Sequence, residues 1–336
     1  MRSSLVKGIA SLSAVLMLGA CSSEIPVPEP KAGQYEAPIV PEARFAKITS
    51  EASTTLAAAD EAKDADQLAE RFEDPFVHDR RARYQLSKVM GDAYTLPSVE
   101  LDSELNVIHA GSGFPRTAMT LAEPTESSNL RQLTIWSQDN PRVNYKVWAQ
   151  VPIFADASAP ALKQTFSNDA GHTAAKEGTY SGEPAQIMAA YAQYQQDREQ
   201  GDIAFSADDP LYTQLGSFVD SLKSNVGDFG EVKIAFSAPE NAYRGVSTED
   251  GGLLLVSQLL YTVTVTKTNE DATIELGGEI GALASGESDG VLEVGDTEAV
   301  AHYSSVVAFY VPPSGADDQT VKVLGASVPA LFQIDK

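Results

Sequence analysis

The chain has one cysteine in 336 residues, four histidines and two tryptophans, and it carries 24 Lys plus Arg against 47 Asp plus Glu. A single thiol cannot form an internal disulfide, and it also excludes cysteine zinc sites and iron–sulfur ligation. The four histidines, His78, His109, His172 and His302, never fall three or four residues apart, so no helix face presents a histidine pair to a metal. A net charge of -23 repels phosphate backbones and anionic headgroups, which argues against nucleic acid as a partner. No His-Glu-x-x-His and no phosphate-binding Gly-x-x-x-x-Gly-Lys-Ser/Thr occurs. Ala110-Gly111-Ser112-Gly113-Phe114 sets a serine between glycines without the wider spacing of a nucleophile elbow, and reads as a loop. The sequence therefore offers no catalytic residue, no metal ligand set and no cofactor motif.

The cysteine itself is informative through its position. Arg2 and Lys7 precede an apolar run from Gly8 to Leu18 that is too short to span a bilayer, and Leu18-Gly19-Ala20-Cys21 follows directly. This pattern resembles the lipobox of bacterial lipoproteins. The resemblance implies that residues 1–20 are a signal peptide, that Cys21 is alkylated by diacylglycerol and acylated with a fatty acid such as palmitate, and that the protein is held on the outer face of the cell membrane. Residues 21–41 follow with Pro26, Pro28, Pro30, Pro38 and Pro41 and no apolar period, as expected of an extended tether. The lipobox, the tether and the acidic Ala/Thr-rich body together resemble the uncharacterised surface lipoproteins of high-GC Gram-positive bacteria.

About 315 residues remain beyond the leader, enough for two domains. Residues 48–90 carry apolar positions at helical spacing, with breaks near Asp60 to Asp66 and at Asp74-Pro75; Asp64 or Asp66 suits a cap and Pro75 a first turn. Leu130 to Phe154 alternates with period 2 about a turn at Asp139-Asn140-Pro141. This predicts an antiparallel hairpin with Val143, Tyr145, Val147, Ala149 and Val151 on a packed face and Asn144, Lys146, Trp148 and Gln150 on a partly wet one. Pro184 to Gln200 and Pro210 to Lys223 predict two more helices. Strands return from Glu231, with a long one at Leu253 to Thr266 and partners at 299–311 and 320–334. The acidic pairs Asp208-Asp209 and Asp317-Asp318, and Asn269-Glu270-Asp271, read as a helix cap and two turns instead of calcium ligands.

The expected organisation is thus α+β, helices then an antiparallel sheet, twice over: an N-terminal domain over 42–156, a linker over 157–183 and a C-terminal domain over 184–336. The halves end alike, in Val147 to Pro152 and Val323 to Pro329. This order resembles the cystatin-like or NTF2-like cone, a likeness of element order and not of motif. Trp136, Trp148, Tyr145 and Tyr303 are candidates to line a pocket in such a cone, and read more simply as core. One segment gathers positive charge, 73–84, where His78, Arg80, Arg81, Arg83 and Tyr84 on a helix form a candidate surface for an anionic ligand or partner. The first functional expectation is a lipid-anchored, non-enzymatic binding or assembly module whose partner is another envelope protein or polymer. Behind it stand an exported NTF2-like enzyme or hydrolase with a scattered site, and the solute-binding lipoprotein of an importer.

Overall fold

The computed structural model describes residues 40–102, 105–108, 114–125, 129–157, 179–295 and 298–336. The expected leader, Cys21 and nearly all of the tether, the core of the expected linker, His109, His172 and most of the Ala110 to Phe114 loop lie outside these residues.

The N-terminal half opens with α1 (Glu42–Ala62) and a short 3₁₀ turn, Ala65–Leu68, whose cap is Asp64 accepting from the Asp66 N–H at 3.0 Å. Helix α2 (Phe76–Met90) follows Pro75, and the Asp74 carboxylate accepts from the His78 N–H at 3.1 Å. Then come β1 (Leu105–Ile108), β2 (Arg116–Ala122), β3 (Gln132–Gln138) and β4 (Lys146–Pro152), an antiparallel meander in sequence order. The hairpin predicted about Asp139-Asn140-Pro141 is β3 and β4, with a bulge between Ile135 and Trp136.

The second half repeats this plan with additions. Helices α3 (Pro184–Asp197) and α4 (Pro210–Val226) precede β5 (Gly230–Ser237), β6 (Tyr243–Ser247) and the 15-residue β7 (Leu253–Lys267). A small hairpin, β8 (Glu275–Leu276) and β9 (Leu292–Glu293), brackets α5 (Gly278–Ser285). The chain then forms β10 (Ala299–Val311), β11 (Lys322–Ala326) and β12 (Ala330–Asp335). The sheet runs β11-β10-β7-β5, again antiparallel, with β6 and β12 added along β7 and β10. Asp209 caps α4 by accepting from the Tyr212 N–H at 3.1 Å, so this acidic pair serves as a helix start. Asn269 and Asp318 likewise accept from backbone N–H groups two residues on, at 3.0 and 2.9 Å, and close turns.

The likeness of the halves extends to a detail. In each, an extended phenylalanine between the two helices makes a parallel bridge to the last strand of the meander or its lead-in: Phe72 with Val147, and Phe205 with Val321. The matching ends of the meanders then meet antiparallel, Ile153 opposite Gly325, with the Phe154 N–H donating to the Leu324 carbonyl at 2.9 Å.

Three buried clusters show the layering. Phe45, Leu56, Phe72 and Tyr84 of the first helical layer cover Trp136, Tyr145 and Val147. Ile135, Trp148 and Val151, on the far side of the same sheet, pack on Val246, Val256, Val306 and Leu324 of the second sheet. Leu255, Tyr261 and Phe309 turn the opposite way, onto Ile187, Tyr191 and Leu215 of α3 and α4. The order is helices, sheet, sheet, helices, and the described residues pack as one compact unit. The partly wet face expected of the hairpin holds at Asn144, Lys146 and Gln150, which keep exposure, but not at Trp148, which is 3% exposed because the second sheet covers it; Val143, expected on the packed face, is exposed. The outer edge of β5 is blunted by α3, whose Gln196 donates to the Ile234 carbonyl at 2.9 Å and accepts from the Phe236 N–H at 3.2 Å.

Phe45 is the main anchor of α1, its ring edge-on to Trp136 at 5.4 Å and to Tyr145 at 6.2 Å. Phe45→Ala is expected to cost about 3–5 kcal/mol of stability in a denaturant titration. A loss under about 1 kcal/mol would mean that α1 is not held by this contact.

Candidate functional site

The basic residues of α2 divide between three environments. Arg80 is 4% exposed and faces α1, where its fork donates to both oxygens of Asp60 (Nε to Oδ1 at 2.9 Å, Nη2 to Oδ2 at 2.5 Å) and Nη1 donates to the Pro97 carbonyl at 2.8 Å. Tyr84 donates to the same carboxylate at 2.5 Å, and burial together with that hydrogen bond pushes its phenol up. Arg81 points outward to an exposed ion pair with Asp66 at 2.8 Å. The expected common surface of His78, Arg80, Arg81, Arg83 and Tyr84 therefore does not form, because Arg80 and Tyr84 turn into the core while Arg81 turns to water.

His78 and Arg83 reach the C-terminal half. The His78 ring stands edge-on to Phe332 of β12 at 4.6 Å, with Nδ1 3.2 Å from the Asp79 carboxylate. Arg83 is 8% exposed, and its Nη2 donates to the Val328 carbonyl and its Nη1 to the Tyr94 hydroxyl at 3.4 Å. Helix α2 is thus a cross-tie between the halves.

The hydrogen bond from the His78 ring to the Asp79 carboxylate raises the His78 pKa above 6.5, partly offset by burial. A histidine whose folded pKa is raised contributes stability that is full below its unfolded pKa and is lost as pH rises through the folded one. The destabilisation caused by His78→Asn should accordingly be largest below pH 6.5 and shrink as the pH rises through the raised pKa of the folded state. Thermal melts across that range test it, and a difference independent of pH would show that the ring acts only by packing.

A cavity of about 580 Å³ lies where α2, the 94–99 segment, the ends of β3 and β4, and the chain after β11 converge. Phe76, Leu96, Val99, Ala149, Val306 and Val328 give it apolar walls, and Asp79, Arg80 and Arg83 stand at one end. Its size suits a small organic ligand. A larger cleft of about 1170 Å³ runs beside the start of α4 and is lined by Asp156, Asp208, Asp209 and Asp250, with Tyr310 and Lys322. Two of its carboxylates have structural duties. Asp209 caps α4 and accepts from the Tyr191 hydroxyl at 2.8 Å; burial raises its pKa against these bonds. Asp250 accepts from Thr248, Tyr310 and the Gly252 N–H, which hold its carboxyl below the usual range despite burial, while burial and the Asp250 bond push Tyr310 up to about 12.

Two features were missed, only the second of them legible in the sequence. Arg244 of β6 lies 4.9 Å over the Trp148 ring, 3.4 Å from the Ser137 hydroxyl and 3.9 Å from Glu73, joining the halves through the second-sheet face of β4. Burial pushes the Glu73 carboxyl up, with Asp139 adding to it, and burial pushes the Arg244 guanidinium down. No local pattern links residues that far apart. The second feature is Gly286-Glu287-Ser288-Asp289-Gly290, which has the Gly-x-Ser-x-Gly spacing. It follows the end of α5, with Gly286 as left-handed cap, instead of turning a strand into a helix, and Ser288 faces the Met90 carbonyl at 3.5 Å. The nucleophile-elbow geometry is therefore not built there.

Among the described residues no cluster of three or more His, Cys, Asp or Glu side chains is arranged to hold a metal ion, and no helix is long and apolar enough to cross a membrane. Comparison with known families, curated proteins and solved structures gives no match for the chain.

Proposed function

We propose that the protein is a lipid-anchored module of the cell envelope, held on the outer face of the membrane through Cys21, that binds another envelope component without catalysing a reaction on it. The observation that carries the binding role is the cavity between the halves, with apolar walls and a buried guanidinium at one end. Arg80, which lines it, is bonded to Asp60, as is the Tyr84 hydroxyl behind it, and these bonds hold α1 against α2, as a preformed binding surface requires. The anchor is supported by the lipobox-like Leu18 to Cys21 and by the prolines behind it. In this reading each half is a cystatin-like or NTF2-like unit, a helix pair laid on a curved antiparallel meander, and the second half has gained β6, the β8–β9 excursion and β12.

Fractionation and mass spectrometry of the protein from its native membrane test the anchor. The expected product begins at an acylated Cys21 and partitions with membrane, and Cys21→Ala releases it. Membrane retention of the variant with no acyl label would overturn the anchor. In-membrane cross-linking followed by affinity capture tests the binding role, with one reproducible envelope component as the expected result and none as the contrary one.

A further inference from the structure

We infer that the cavity between the halves takes a small amphipathic carboxylate, its anionic head on Arg83 and its apolar body along the aliphatic walls. The inference rests on the reading of this cavity as the binding site and adds the chemistry of the occupant.

Three observations carry it. Arg83 is 8% exposed and lines the cavity, yet its described hydrogen bonds go to two neutral acceptors, the Val328 carbonyl and the Tyr94 hydroxyl at 3.4 Å. A guanidinium removed from water without a carboxylate on it is costly, and a planar fork is built to take one. The neighbouring Arg80 is different, because Asp60 already fills its fork. Of the carboxylates nearby, Asp79 is engaged by His78 at 3.2 Å, and Glu279 acts on Arg83 through space without contributing to the cavity wall. Leu96, Val99, Ala149 and Val306 give the walls aliphatic surface that suits a hydrocarbon body, beside the polar Thr95, Ser98, Gln132, Gln150 and Ser327.

The test uses residues 21–336 with Cys21→Ser, which contains the whole compact unit and lets neither an attached acyl chain nor detergent compete. Calorimetric titration with decanoate should show one site, with decanol at least tenfold weaker. Arg83→Gln should bring decanoate down to the level of decanol, and Leu96→Trp, which narrows the cavity and replaces no Arg83 partner, should abolish binding of both. Equal affinity for decanoate and decanol, or decanoate binding unchanged by Arg83→Gln, would overturn the role of the charge. Absence of decanoate binding to a chain whose melting curve is intact would overturn the ligand class. Partner capture in the membrane that persists in both Arg83→Gln and Leu96→Trp would leave the binding module standing while removing this inference, so the two fail separately.

Discussion

Arg80→Met should lower the stability of the fold by about 2 kcal/mol, the cost of removing the buried partner of an ion pair whose carboxylate, 29% exposed, keeps some water. Methionine keeps the apolar stem of the side chain, so the loss isolates the guanidinium. Without it the Asp60 carboxylate keeps only the Tyr84 hydroxyl, and the Pro97 carbonyl loses its 2.8 Å donor. The companion variant Arg81→Met, on the same helix, breaks an ion pair whose side chains are 48% and 87% exposed and should cost less than about 1 kcal/mol. Denaturant titration of the two variants distinguishes a helix whose cations are structural from one whose cations form a common surface. Equal small losses would show that Arg80 is not held as the geometry has it.

The second large effect is expected at Gly325. A Cβ there would stand 2.2 Å from the Pro152 carbonyl oxygen and 3.0 Å from the Ile153 Cα, and both are backbone atoms that cannot rotate away. This is the point where the matching ends of the two meanders meet, so any side chain must push one sheet off the other and break the bond between Phe154 and Leu324. Gly325→Val should cost about 3 kcal/mol, at the upper end for overpacking. Because residues of both halves share the buried layer between the sheets, the whole unfolding transition should move as one. A transition that splits, with the first half melting as in the parent, would show instead that the halves fold independently.

Much of the secondary structure could be read from the chain because its signals are local. Asp209-Pro210 is a cap and a first turn within two residues, the β10 boundaries fall where the alternation of 299–311 runs, and the prolines at 75 and 184 mark helix starts. The α+β class and the repetition of helices before strands followed from the same signals. What could not be read were the contacts between distant residues. The covering of Trp148 depends on a sheet that begins about 80 residues later in the sequence. Arg80 and Tyr84 looked like a displayed charge cluster because nothing near them in sequence announces Asp60, 20 residues back on another helix. Gly325 gave no signal because its role lies in what approaches it. Of the candidate site, the helix and its cations were legible, while the cavity, a product of both halves, was not.

A photo-cross-linking residue placed in intact cells at Leu96 on the cavity wall and, separately, at Lys233 on the far edge strand would decide whether the proposed envelope partner binds at the cavity between the halves. The account predicts that an envelope component is captured from Leu96 and not from Lys233, and that Arg83→Gln reduces the capture. Equal capture from both positions, or capture from Lys233 alone, would contradict it.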